Sequence, residues 1–365
     1  MKKSKVHKIG ILTAGGDCPG LNCVIRVIVK AAISEYGIEV IGFKDGYDGL
    51  VRNEYITLRS RDVSGIINLG GTILGTSNTA NPYRYPVTQG KKLILEDRSK
   101  DAITHYRENG LDCLIAIGGD GTLSIASKLI KDGLSIVGCP KTIDNDLSGT
   151  DITFGFESAV VTATEAIDKL HSTAQSHHRV MIVEVMGRYA GWIALFSGVA
   201  GGGDVILIPE IPYDMKVIAK KLEERHKIGK RFSIIVIAEG AKPKGGKMTV
   251  AKIVEASTDQ VRLGGVGTML ANAVETMTGL ETRATILGHL QRGGVPTPFD
   301  RNLATRYGYE SLMMAVKGKF GRMAALQNGH VTSVPISKAI GKLKTVPLNH
   351  PFIEMAKAIG TSFGD

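Results

Sequence analysis

The stretch Cys113-Leu114-Ile115-Ala116-Ile117-Gly118-Gly119-Asp120-Gly121-Thr122 runs an apolar segment directly into glycines and an aspartate. A short continuous apolar run closed by glycine, with helical spacing after it, reads as a strand buried on both faces followed by a helix. The same pattern appears in Lys8–Thr13 before AGGD (14–17), in Leu134–Gly138 before CPKTIDND (139–146), in Val180–Val185 before MGR (186–188) and in Phe232–Ile237 before AEGA (238–241). Helical spacing fills Pro19 to about Glu35, Phe156 to about Ser176 and Asp214 to about His226. This alternation predicts an α/β fold with mostly parallel sheets. In such sheets ligands gather beyond the carboxyl ends of the strands, which is where all five polar clusters fall.

A chain of 365 residues exceeds one ordinary core and predicts two domains. We place residues 1–147 with 255–308 in one and 148–254 with 309–365 in the other. The 45 glycines concentrate after apolar runs, where the backbone turns tightly or approaches a ligand. The net charge of +10 comes from scattered residues, and aromatics are 5%, so small anions are expected as ligands rather than nucleic acid. Cys18, Cys23, Cys113 and Cys139 have no CxxC spacing and are expected to be free thiols in a reducing cytoplasm. The basic start at Met1–Lys5 has too few apolar residues after it for a leader, and no apolar run reaches the ~20 residues of a membrane helix.

In GGDGT (118–122) the glycines let backbone N–H groups face a phosphate at a helix N-terminus, and Asp120 can hold Mg²⁺ through water. An aspartate-capped turn would use the same residues. AGGDCPGLN (14–22) is a second such turn, and no GxxxxGK[ST] occurs. PKTIDND (140–146) sets Asp144 and Asp146 two apart, on one face if the segment is extended. One carboxylate could take a proton from an attacking hydroxyl while the other helps to hold a metal, with Thr142 and Lys141 adding a donor and a charge. Arg188 at a strand end suits a phosphate, as do Arg179 in SHHR (176–179) and the set Arg283, His289 and Arg292 in ETRATILGHLQRGG (281–294). Glu239 could accept sugar hydroxyls or cap a helix, and Trp192 reads as packing.

These segments, in this order and spacing from about Lys8 to about Tyr309, resemble the 6-phosphofructokinase family. The resemblance implies two similar three-layer α/β domains with the active site in the cleft between them. It implies phosphoryl transfer to the 1-hydroxyl of fructose 6-phosphate, with Asp144 as base. Arg188, Thr142 and the backbone at Gly16 would stabilise the moving phosphoryl group. The donor would lie on Gly16, Gly118, Gly119, Asp120, Gly121 and Thr122, and Asp120 with Asp146 would place Mg²⁺. The sugar would meet Thr142, Met186, Gly187, Arg188 and Glu239, and its 6-phosphate His289 and Arg292. Residues matching Arg179 and Arg283 reach in from a neighbouring subunit, which implies a homodimer or homotetramer. Gly121 is the residue of ATP users and Lys141 that of pyrophosphate users, a pairing that resembles the mixed-substrate subgroup and favours ATP. Asn78 stands where bacterial ATP enzymes carry a donor-contacting Arg, whose charge Arg84 or Lys141 could replace. Arg26 matches one effector-site Arg, whereas Lys30 departs from another. A lipid or NAD kinase shares GGDGT but not PKTIDND or GHLQRGG, and an inactive regulatory subunit would be expected to have lost Asp120, Asp144 or Arg188.

Overall fold

The computed structural model describes residues 2–90, 92–254 and 261–365. Its larger sheet has seven strands in the order His330–Pro335, Arg322–Gln327, Ile136–Pro140, Cys113–Gly118, Lys8–Thr13, Glu39–Phe43 and Tyr55–Thr57. The five inner strands are parallel and only the two edge strands run antiparallel. A second sheet orders Thr282–Ile286, Val180–Val185, Ser233–Ala238 and Val205–Leu207, all parallel. Central strands such as Cys113–Gly118, Val180–Val185 and Ser233–Ala238 are buried at every position, as strands covered on both faces must be.

The sheets correct the expected division of the chain in two places. Thr282–Ile286, assigned with residues 1–147, pairs with Val180–Val185 in the four-stranded sheet. Arg322–Gln327, assigned with residues 148–254, pairs with Ile136–Pro140 in the seven-stranded sheet. Both are short strands that bond to partners distant in sequence, so local pattern could not place them.

The helices follow their signals closely. Phe156–His177 and Met215–Lys227 form as expected, the latter capped by the Asp214 carboxylate on the Lys216 N–H. The first helix spans Leu21–Ala31 and continues as a wider turn to Tyr36. It packs on Pro298–Val316 at Gly308, where a Cβ would lie 2.5 Å from Val27 Cγ1. Glycine there is what allows the close crossing. Among the described residues no helix is long and apolar enough to cross a membrane, and the four cysteines are free and buried.

Candidate active site

Beyond the carboxyl ends of the central strands lies a cavity of about 760 Å³. Three turns wall it, each delivered by one strand of the larger sheet. In the first, Gly15 has φ +81°, a left-handed conformation suited to glycine, and its N–H is spent on the Ser77 carbonyl. The following N–H, of Gly16, meets no acceptor among the described residues. A Cβ on Gly16 would sit 2.6 Å from Arg292 Nη1, so the missing side chain is what lets Arg292 lie against this turn. Arg292 also donates to the Asp17 carbonyl over 3.2 Å.

The second turn is GGDGT. Thr122 folds back over Gly118, where a Cβ would come within 2.3 Å of it. The Thr122 carbonyl in turn accepts from the Tyr47 hydroxyl at 2.9 Å. Gly119, Asp120, Gly121 and Thr122 line the cavity at the start of helix Asp120–Lys131, where N–H groups and the helix dipole favour an anion. Asp120 Oδ1 accepts the Gly341 N–H at 2.8 Å.

The third turn, PKTIDND, is not extended. Asn145 has φ +51°, so the two aspartates do not share a face by strand alternation. They line the cavity together because of the turn around Asn145, whose Oδ1 accepts the Thr153 N–H at 3.1 Å. Asp144 Oδ1 is buried and, among the described residues, has no hydrogen-bond partner. Burial pushes the Asp144 carboxyl up, and Arg292, Arg188 and Lys141 oppose this with positive charge. Asp146 is also pushed up, by burial first and then by the neighbouring Asp144 charge. Lys141 is buried, and its ammonium donates to the Gly16 carbonyl. Burial, with Arg292 nearby, weakens its hold on its proton.

The cavity therefore collects Gly16, Gly119, Asp120, Gly121, Thr122, Lys141, Thr142, Asp144, Asp146 and Arg292. Gly118 stands behind it as the last residue of its strand. Met186, Gly187, Arg188 and Glu239 follow the ends of Val180–Val185 and Ser233–Ala238 in the second sheet. Arg188 and Glu239 are coupled by charge to the cavity's Asp144. The Arg188 charge acts on Asp144, and Glu239 is pushed up to about 7 by burial and by Asp144, with Arg188 opposing. Glu239 caps no helix, since its strand ends in a turn closed by the Gly240 N–H on Gly187. Gln291, unread in the sequence, is fully buried and accepts the Met186 N–H at 3.3 Å.

Arg179, Arg283 and His289 lie outside the cavity. Arg179 and Arg283 share the Glu281 carboxylate at 2.7 and 2.6 Å, and His289 is exposed. Arg84 and Asn78 both line the cavity, so Arg84 brings a cation to the cavity in which position 78 has none. Trp192 is buried packing, as expected, against Phe196 and His350.

A family model described as phosphofructokinase matches residues 8–315. The chain belongs to the phosphofructokinase family. Two curated relatives sit near half identity. "ATP-dependent 6-phosphofructokinase 2" of Clostridium perfringens is 49% identical across 99% of both chains. "ATP-dependent 6-phosphofructokinase" of Spirochaeta thermophila is 49% identical across all of both. Among solved structures, Pichia pastoris phosphofructokinase in the T-state is 31% identical with TM-score 0.78, over 92% of this chain but 35% of that one. This chain thus spans about a third of the yeast subunit. Pyrophosphate-dependent phosphofructokinase from Marinobacter aquaeolei shares the fold at TM-score 0.77 and 22% identity, over 98% of this chain and 92% of that one.

The sequence reading missed what closes the cavity on its far side. Gly341 and Leu343 line it, and Lys344 reaches behind the aspartates. Tyr47, Ser77 and Tyr189 line it too. No motif marks Gly341-Lys342-Leu343-Lys344, whose alternating lysines read as a solvated surface.

Proposed function

We propose that this chain transfers the γ-phosphoryl group of ATP to the 1-hydroxyl of fructose 6-phosphate, giving fructose 1,6-bisphosphate in the cytoplasm. The observation that carries the reading is Asp144, which lines a cavity walled by two glycine-rich turns and whose buried Oδ1 has no partner among the described residues. An orphaned buried acceptor is costly unless a ligand completes it. A sugar hydroxyl donating to it would lose its proton there as its oxygen attacks the γ-phosphorus, and the bond to the β-phosphate oxygen would break to release ADP. The Gly16 N–H, Thr142 and Arg188 would face the charge that spreads over the transferring group. The relatives' printed names support the same reaction.

Mg²⁺ fits this donor set. Among the described residues no group of three metal-ligating side chains occurs, so Asp120 and Asp146 would hold it by two carboxylates, with the rest from phosphates and water. Bound there, it would neutralise charge on the donor. The burial that pushes Asp146 up is what a nearby cation would relieve.

ATP is favoured over pyrophosphate by Gly121, which leaves room at the helix start. The Lys141 ammonium gives one of its three N–H groups to the Gly16 carbonyl, and its charge would serve either donor. We assign the donor to the seven-stranded unit and the sugar phosphate to the four-stranded one. Arg179 and Arg283, outside their own cavity, would serve the 6-phosphate pocket of a neighbouring copy, alongside that copy's counterparts of His289 and Arg292. A coupled assay with ATP and with pyrophosphate tests the proposal. Fructose 6-phosphate-dependent ADP release is expected, and faster turnover with pyrophosphate would overturn the donor assignment.

A further inference from the structure

Lys344 directs its ammonium at one loop. The Nζ donates to Asn145 Oδ1 at 2.8 Å, to the Thr150 carbonyl at 3.1 Å and to the Asp151 carbonyl at 2.8 Å. An ammonium has three N–H donors, and these three acceptors use them all. Every acceptor is an uncharged oxygen. The nearest opposing charges, Asp146 and Asp151, act through space. Drawing a cation into a largely enclosed position without a direct ion pair is expensive, so its geometry is the more informative part.

That geometry bears on the two aspartates. Asn145, between them, holds the left-handed backbone that turns both into the cavity, a conformation a non-glycine residue keeps only when its surroundings hold it. Lys344 Nζ and the Thr153 N–H grip the Asn145 side chain from two directions. The Lys344 N–H also donates to the Asp146 carbonyl at 2.7 Å. Lys344 is itself fixed, because its carbonyl accepts from Trp192 Nε1 at 2.8 Å. Two residues on, the Val346 N–H meets Glu210, the carboxylate that also takes the Gly191 N–H. Three residues earlier, the Gly341 N–H meets Asp120. Residues 341–346 thus form a strap that bonds the Asp120 carboxylate, the Asn145 side chain and the Asp146 backbone carbonyl, on both sides of Asp144 in the chain.

We propose that Lys344 is a positioning residue for phosphoryl transfer, holding residues 144–151 so that Asp144 Oδ1 stays unpartnered and aimed at the acceptor hydroxyl. The proposal rests on the reaction inferred above. It differs from a fold-holding role in what it affects. Substrates bind to groups that Lys344 does not touch, whereas the placement of the base depends on it.

The test uses the full chain with Lys344→Met, which keeps the stem beside Trp192 and removes the three donors. Because a misplacement of about 1 Å can cost about 10²-fold in rate, kcat is expected to fall about 10²-fold, with KM for both substrates within about threefold and the melting temperature lower by only a few degrees, as three acceptors lose their donor. Amide hydrogen exchange should quicken across residues 144–153 and stay at the parent's level elsewhere. Trp192, the single tryptophan, keeps its indole N–H on the Lys344 carbonyl, but its emission should shift as the ammonium 5.6 Å from its ring is lost. In Lys344→Ala, n-propylammonium should restore part of kcat saturably, and potassium at equal ionic strength should not. An unaltered kcat, unaltered exchange at 144–153, raised KM with intact kcat, or unfolding of both variants would each overturn the proposal. Should the parent not phosphorylate fructose 6-phosphate, the reaction falls, and exchange in Lys344→Met still decides whether this lysine holds the loop.

Discussion

The Lys141 ammonium donates to the Gly16 carbonyl, joining two turns 125 residues apart in sequence. Arg292 lies against the same turn, where a Cβ on Gly16 would come within 2.6 Å of its Nη1. Replacing Lys141 with Met leaves a half-buried carbonyl without its donor, a loss of about 1 kcal/mol or more. Turnover with ATP is therefore expected to drop about tenfold or more. Pyrophosphate should gain nothing, because the lysine's role is structural to the Gly16 turn. Steady-state rates with both donors check this, and a gain with pyrophosphate would reverse the reading.

Asp144→Asn removes the proton acceptor while preserving shape. A loss of about 10²–10⁴ in kcat is expected, with fructose 6-phosphate binding retained by calorimetry. Asp144 titrates above the ordinary carboxylate range, so the parent's activity should rise with pH as this group loses its proton. The variant's residual rate should lack that limb. Near-normal kcat in Asp144→Asn would remove it from the role of base.

Gly121→Asp adds bulk and negative charge at the start of helix Asp120–Lys131, facing the cavity. Like charges and steric exclusion act together there, so KM for ATP should rise steeply while sugar binding changes little. Fluorescence titration with each substrate separates the two. Equal weakening of both would mean that the helix start had been disturbed rather than the donor excluded.

Arg179 and Arg283 meet on Glu281, away from the cavity of their own chain. Arg283→Ala and Asp144→Asn are each expected to be nearly inactive as pure assemblies. After subunit exchange, mixed assemblies should regain activity, because some sites then combine an intact Asp144 with an intact Arg283 from the neighbouring copy. Proven hybrids with no recovered rate would argue that each chain supplies its own arginine.

Glu239 starts from an ordinary value of 4.5 and is pushed up to about 7, first by burial and then by Asp144. The folded chain therefore prefers the protonated acid. That contribution is complete below about pH 4.5 and is lost as pH rises through 7. Glu239→Gln stays neutral, so it should stabilise the ligand-free protein at pH 8 by about 1–2 kcal/mol, leave it nearly unaltered at pH 5 and weaken sugar binding. Urea midpoints at the two pH values measure this. An equal shift at both would point to packing rather than charge.

The strands and turns around Gly16, Asp120 and Asp144 were legible because each is a local pattern, an apolar run closed by glycine and acid. The sheet partners of Thr282–Ile286 and Arg322–Gln327 were not, because pairing depends on which distant edge is vacant. The extended reading of PKTIDND failed at Asn145, whose left-handed backbone is held by Thr153 and Lys344 rather than by its own neighbours. Gln291 and Lys344 were invisible for a related reason. Their bonds reach 105 and 199 residues away, and a polar residue in a short segment carries no mark of what it will meet.

The separation of 199 positions from Asn145 to Lys344 is also an interval of synthesis. The ribosome delivers the aspartate turn long before the strap that holds it. A nascent chain that has released residue 330 but not 346 can already own both sheets' central strands, yet its Asp144 is expected to be unsteadied. Catalysis would then await release of the strap from the exit tunnel, along with the last core residues Val346, Ile353, Ala356 and Phe363. Chains stalled before residue 341 or beyond residue 346, compared for protease resistance and for turnover, should diverge in the second measurement far more than in the first. Equal turnover in the two would show that the turn sets itself.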